Sequence, residues 1–254
     1  MESFDSGGVR IAYIDVPAAK EPDDPVLLIH GFASTHAVNW VNTLWVKTLT
    51  AAGYRVLALD NRGHGQSEKL YDPAQYHSSI MADDARRLLD HLGLERADVM
   101  GYSMGARITA YLALEHQDRV RSAMLGGLGN KLVDSVGLPL SIADAMEAPS
   151  VEAVADPTAR GFRSFAEQNK QDLKALAACI RGSRQVMSRE EVARITVPTL
   201  VTVGTTDGIA GSPHELAALM PDARALDIPG RDHNMAVGDK VHKEGVLSFL
   251  RVRL

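Results

Sequence analysis

Cysteine is almost absent. Cys179 is the only one in 254 residues, which excludes an internal disulfide and any cysteine-only metal site. An excess of basic charge is missing too. There are 27 Lys and Arg against 32 Asp and Glu, a net charge of −5, and no basic block. Nucleic-acid binding through phosphate neutralisation is therefore not expected. Long apolar runs are lacking. Stretches such as Val26-Leu27-Leu28-Ile29 fall far short of the ~20 residues a membrane span needs, so no membrane partner is expected. The first residues, MESFDSGGVRIAY, have no basic region followed by an apolar one. No signal peptide is evident there, and a cytoplasmic location is the expectation.

What is present is an ordinary globular balance, 45% hydrophobic and 23% charged. That length favours one large domain over two. Short apolar runs alternate with longer helical patterns. Strands are predicted at Val26–His30, Arg55–Asp60, Ala97–Gly101, Val120–Leu125, Pro198–Gly204 and Ala223–Pro229. Helical spacing is predicted over Val38–Ala52, from Met81 to Leu92, over Met104–His116 and from about Lys240 to Leu250. Gly53 and Gly93 stop the first two. Strands alternating with helices imply parallel βαβ units, with helices on both faces of the sheet. Periodicity weakens from Gly126 to about Thr196, where Ser141–Ala148 and Asp172–Ile180 are short helical pieces. That stretch is too long for an ordinary loop and reads as a helical insertion covering the sheet. The expected organisation is a core of residues 1–129 and 190–254, with a cap at 130–189.

Ligands of parallel α/β sheets bind beyond the carboxyl ends of the strands. Ser103 stands there, in Gly101-Tyr102-Ser103-Met104-Gly105, between a predicted strand and a predicted helix. Glycines on both sides permit a sharp turn that lifts the hydroxyl above the sheet. With 21 glycines in the chain, about 0.1 such patterns are expected by chance, so context carries the argument. The plain alternative is a serine that caps the helix. A serine hydroxyl needs an adjacent base to act as a nucleophile. His233, in PGRDHN after the last predicted strand, is the candidate. An imidazole in that role needs a carboxylate to set its tautomer. Asp207, in GTTDG after the preceding strand, stands 26 residues before it. An Asx turn is the alternative for Asp207. An oxyanion would require two N–H donors, assigned to the backbones of Met104 and Phe32, with Ala33 as the fallback. His30, Trp40 and Tyr102 are candidate substrate-binding residues, and Phe162 is a candidate specificity residue. His30 and His64 flank glycines, a placement that suits hydrogen bonding within loops better than catalysis. Asp60 reads as a loop anchor beside Arg62, and Cys179 as a small core residue. The arginines Arg160, Arg163, Arg181 and Arg184 read as a solvated face, with carboxylate binding as the alternative. No P-loop, dinucleotide fingerprint, His-Glu-x-x-His or calcium loop is found, so neither a cofactor nor a metal is expected.

The motifs HGF, DNRGHGQS, GYSMG, GTTD and PGRDH, in that order, resemble the α/β-hydrolase fold family. The resemblance implies a mostly parallel eight-stranded sheet, with Val9–Val16 supplying the antiparallel edge. It also implies Ser103, Asp207 and His233 as nucleophile, acid and base. Serine at the nucleophile position is unlike the branches that attack through a carboxylate, the dehalogenases and epoxide hydrolases. HGF rather than HGGG is similar to carboxylesterases, enol-lactonases, carbon–carbon bond hydrolases and cofactor-free perhydrolases. The expected activity is hydrolysis of a small ester or lactone through an acyl-enzyme. The alternatives are a small-molecule receptor with slow turnover, or carbon–carbon hydrolysis or perhydrolysis on the same fold.

Overall fold

The computed structural model describes residues 1–20 and 24–252. Eight strands form one sheet: β1 Glu2–Asp5, β2 Arg10–Val16, β3 Asp24–Ile29, β4 Tyr54–Leu59, β5 Ala97–Tyr102, β6 Val120–Gly126, β7 Thr199–Gly204 and β8 Ala223–Ile228. Their order is β1-β2-β4-β3-β5-β6-β7-β8. β1 and β2 pair antiparallel, as do β2 and β4, and every other pairing is parallel. This is the expected open, mostly parallel sheet. Its antiparallel edge begins earlier than the expected 9–16, because the Gly7-Gly8 turn folds Glu2–Asp5 back onto β2.

Alternate residues of the central strands point to opposite faces, and both faces are buried. Leu27, Ile29, Leu57, Val99 and Leu125 belong to one core, with Leu88 and Leu89 of α2 (Ser78–His91) and Ile108 and Leu112 of α3 (Met104–Glu115). Val26, Leu28, Val56, Met100 and Met124 belong to the other. There they pack with Trp45 and Leu49 of α1 (Trp45–Ala52), and with Val246 and Phe249 of a C-terminal helix, Lys240–Val252. Burial on both sides explains why these strands read as continuous apolar runs rather than alternating ones.

One predicted helix divides. Val38–Ala52 is a π-helical turn, Ala37–Val41, followed by α1, with Leu44 between them at φ 66°. The left-handed residue reorients the chain, and the apolar spacing carries through the break.

Between β6 and β7 the described chain contains helices and turns and no strand. These are α4 (Lys131–Asp134), α5 (Leu140–Glu147), α6 (Pro157–Gln168), α7 (Leu173–Gly182) and α8 (Arg189–Ala193). The expected boundary at 189/190 falls inside α8. Helix α6 carried no clear sequence signal, although Asp156 caps it through the amides of Thr158 and Ala159 and Pro157 opens it. Two helices complete the set: α9 (Pro213–Ala217) and α10, the C-terminal Lys240–Val252.

Candidate active site

Ser103 follows β5 directly and opens α3. Its backbone has φ 56° and ψ −114°, a conformation that a non-glycine residue holds only when the surroundings force it. The glycines are part of that forcing. A Cβ on Gly105 would stand 1.9 Å from the Ile29 carbonyl oxygen, and one on Gly101 would stand 2.0 Å from that of Gly105. The spacing of the pentapeptide is thus the condition for α3 to lie against β3 and β5.

The loops after β7 and β8 bring the other two residues to Ser103. His233 Nε2 lies 3.0 Å from Ser103 Oγ, and His233 Nδ1 lies 2.7 Å from Asp207 Oδ2. The other carboxylate oxygen of Asp207 accepts the amides of Ile209 at 2.8 Å and Ala210 at 3.1 Å. The Asp207 side chain is 0% exposed and the His233 side chain 13%. Burial alone would raise the Asp207 carboxyl, but His233 and the two amides outweigh it and hold the group below its ordinary value. Asp207 therefore remains a carboxylate and the natural acceptor for Nδ1–H. That tautomer leaves Nε2 as the acceptor for the Ser103 hydroxyl.

The amides of Phe32 and Met104 make no hydrogen bond among the described residues. Met104 is the first residue of α3, where the helix itself supplies no partner. The HGF loop is held by Asn39, whose Oδ1 accepts the Gly31 amide at 2.8 Å. Asn39 was not read from the sequence, and nothing in its local pattern marks it.

Two cavities meet at Ser103, and Phe32, Thr158, Phe162 and Ile209 line both. One, of about 380 Å³, runs beneath the inserted helices past Arg107, Lys131, Leu138 and Ile180. The other, of about 470 Å³, runs past Val38, Thr43, Tyr102, His233 and Asn234.

The structure alters two of the three substrate-binding expectations. Trp40 lines neither cavity; it is fully buried against Trp45 in the core. Its place on the π-helical turn directs the ring inward. His30 is buried as well. Its Nδ1 donates to the Gly31 carbonyl at 2.7 Å and its Nε2 accepts the Asn61 amide at 3.0 Å, so it fixes the loops after β3 and β4. Tyr102 lines the second cavity, and its hydroxyl donates to the His233 carbonyl at 2.6 Å. It thereby holds the loop that carries His233.

Other candidates also resolve. Asp60 anchors its loop through His36 Nδ1 and the His36 amide, both at 2.8 Å. Arg62 turns instead to Asp84, at 2.7 Å. Cys179 is buried, and burial pushes its thiol up to about 12, which makes it an inert core residue. Arg163 is buried rather than solvated and donates to the carbonyls of Ala145, Met146 and Ala148. None of Arg160, Arg163, Arg181 and Arg184 lines either cavity. Arg107 escaped sequence reading altogether. The signal was available, since it is the one cation in Met104–Glu115, a stretch otherwise largely apolar.

An open, mostly parallel sheet with a serine on the β5–α3 turn defines a class, the α/β hydrolases. Residues 24–148 match the alpha/beta hydrolase fold family, and the chain has that fold. It is 36% identical over 124 residues to a 2-hydroxymuconate semialdehyde hydrolase of Pseudomonas sp. (strain CF600), spanning 49% of this chain and 41% of that protein. It is 28% identical over 263 residues to a non-heme chloroperoxidase of Kitasatospora aureofaciens, spanning 92% of each. A solved structure of a hydrolase from Pseudomonas aeruginosa PA01 superposes with a TM-score of 0.80 at 27% identity, over 98% of this chain and 97% of that one. No helix among the described residues is long and apolar enough to cross a membrane.

Proposed function

We propose that the protein is a serine hydrolase that cleaves a small carboxylic ester or lactone through an acyl-enzyme. The observation that carries this reading is the continuous relay from Ser103 Oγ through His233 to Asp207, at 3.0 and 2.7 Å, on a strained serine. In the first half-reaction His233 Nε2 takes the Ser103 proton as Oγ attacks the carbonyl carbon. The oxyanion accepts hydrogen bonds from the Phe32 and Met104 amides, which have no competing partner among the described residues. The tetrahedral intermediate collapses as Nε2 returns the proton to the leaving oxygen. Water, activated by the same nitrogen, then releases the acid. Asp207 keeps the ring oriented and balances its transient charge. Residues 130–189 act as a cap in this reading, and their side chains shape the cavity beneath them. Apart from that water, every group the steps need is a side chain or amide of this chain, acting in the cytoplasm.

Ser103→Ala is expected to lower 4-nitrophenyl acetate turnover by about 10⁴-fold or more with an unchanged melting temperature. A fluorophosphonate is expected to add its mass at Ser103 in the unmodified protein. Undiminished turnover by the variant overturns the assignment.

The likeness to a 2-hydroxymuconate semialdehyde hydrolase and to a non-heme chloroperoxidase favours a second reading. In it the same serine serves carbon–carbon hydrolysis or perhydrolysis. Comparing esters, 1,3-diketones and acetate with hydrogen peroxide on one preparation separates the two.

A further inference from the structure

The two cavities that meet at Ser103 differ in charge and in their position relative to the proposed proton donor. His233 and Asn234 line only the larger one. The leaving oxygen must lie within reach of His233 Nε2 to receive its proton, so the leaving group occupies that side. The acyl chain is left with the smaller cavity, which Met104 lines and His233 does not.

The acyl side carries two cations and, among the described residues, no carboxylate. Arg107 is buried, and its partners are all uncharged. Nη1 donates to the carbonyls of Leu132 and Gln185, and Nη2 to those of Lys131 and Ser135. Burial pushes its guanidinium down, and only the Tyr111 phenol, not a carboxylate, acts against that. Lys131 is exposed at the rim of the same cavity, and its ammonium makes no ion pair or hydrogen bond among the described residues. The rest of the lining is largely apolar, with the hydroxyls of Ser135, Thr158 and Ser183. A neutral acyl chain would leave both cations without an anionic partner. An anion approaching Arg107, which is buried, would be attracted more strongly than in water.

We infer that the acyl cavity selects acyl chains that end in a carboxylate, with Lys131 meeting the anion and Arg107 supplying a fixed positive field behind it. The substrate class is then the half-ester of a dicarboxylic acid, or a lactone whose acyl portion bears a second carboxylate. This inference rests on Ser103 being the acylated residue. The step itself is unchanged: the Oγ–C bond forms first, the ester C–O bond breaks as the tetrahedral intermediate collapses, and the Ser103 proton leaves with the alcohol.

The test compares mono-4-nitrophenyl esters of succinate, glutarate and adipate with neutral 4-nitrophenyl esters of the same carbon number, at low ionic strength. The best anionic ester is expected to exceed its neutral counterpart at least tenfold in kcat/KM. Lys131→Glu is expected to bring that ratio to about one or below. A carboxylate placed on the alcohol instead, as in 4-carboxyphenyl hexanoate, should bring no such gain. Isothermal titration of Ser103→Ala with the same pairs supplies a readout independent of turnover. Turnover of both esters with a ratio near one, or a ratio that Lys131→Glu leaves unchanged, overturns the inference and leaves the hydrolase reading standing. Absence of turnover alongside tighter binding of the anionic ester, abolished by Lys131→Glu, sinks the hydrolase reading and keeps the anion site. Absence of both turnover and binding overturns both.

Discussion

Each side chain of the proposed relay is fixed by a second group that sets its direction. Asp207 shows this most clearly, since one oxygen is committed to backbone amides and only the other faces His233. Asp207→Asn keeps the acceptor for those amides and offers an N–H where Nδ1–H needs a lone pair. The ring is then driven to the tautomer with Nε2 protonated, which cannot accept from Ser103. The expected result is a kcat about 10⁴-fold lower with a melting temperature within a few degrees of the parent. A loss of activity matched by a comparable loss of stability would show a scaffolding role instead. Ser103, Asp207 and His233 were legible in the sequence because each follows a strand, and strand ends can be read from apolar runs flanked by turns. Trp40 was not. Its inward direction depends on a left-handed residue at Leu44 and a π-helical turn, neither of which alters the hydrophobic spacing.

Among elements, the edge hairpin is tied to the sheet partly by a buried ion pair. Arg62, after β4, makes a two-pronged contact with Asp84 of α2 at 2.7 Å, and Ser6, after β1, donates to the same carboxylate at 2.6 Å. Removing one partner strands a buried charge. Arg62→Met is expected to cost about 3–5 kcal/mol, measured by urea unfolding. The double variant Arg62→Met/Asp84→Leu is expected to recover a large part of that loss. A single variant as stable as the parent would show that water reaches Asp84. The helices of the core were readable from 3.6-residue spacing against a sheet buried on both faces. Helix α6 was not, because its sequence, PTARGFRSFAEQ, spreads few apolar residues among charged ones. One of those, Arg163, is buried by bonding to carbonyls.

The whole molecule carries a built-in sensitivity to acid. Burial holds three histidines neutral, His30 at about 4, His64 at about 3 and His242 at about 4, against an ordinary 6.5. Unfolding frees each to take up a proton below pH 6.5, whereas the folded protein resists until about pH 4. Across that window the unfolded state binds more protons, so stability rises with pH and falls on acidification. Each histidine contributes up to about 1.4 kcal/mol per pH unit there. Asp60 extends the trend. Burial would raise its carboxyl, but His36, His30 and the Gln66 amide bring it to about 2, so its contribution is lost as pH drops below 3.8. The unfolding midpoint should decline steadily from pH 7 to pH 4. A flat profile would show that these rings are hydrated in solution. This sensitivity was not legible in the sequence, where nine histidines give no sign of which are enclosed.

The attachment of Arg107 has a further consequence. From the helix that follows Ser103 it grips both ends of the inserted helices, yet every oxygen it holds belongs to the main chain. A main-chain oxygen is present whatever side chain its residue bears. Lys131 and Ser135, which line the cavity beside it, can therefore change identity and alter what the chamber admits, while the fastening of the inserted helices to α3 persists.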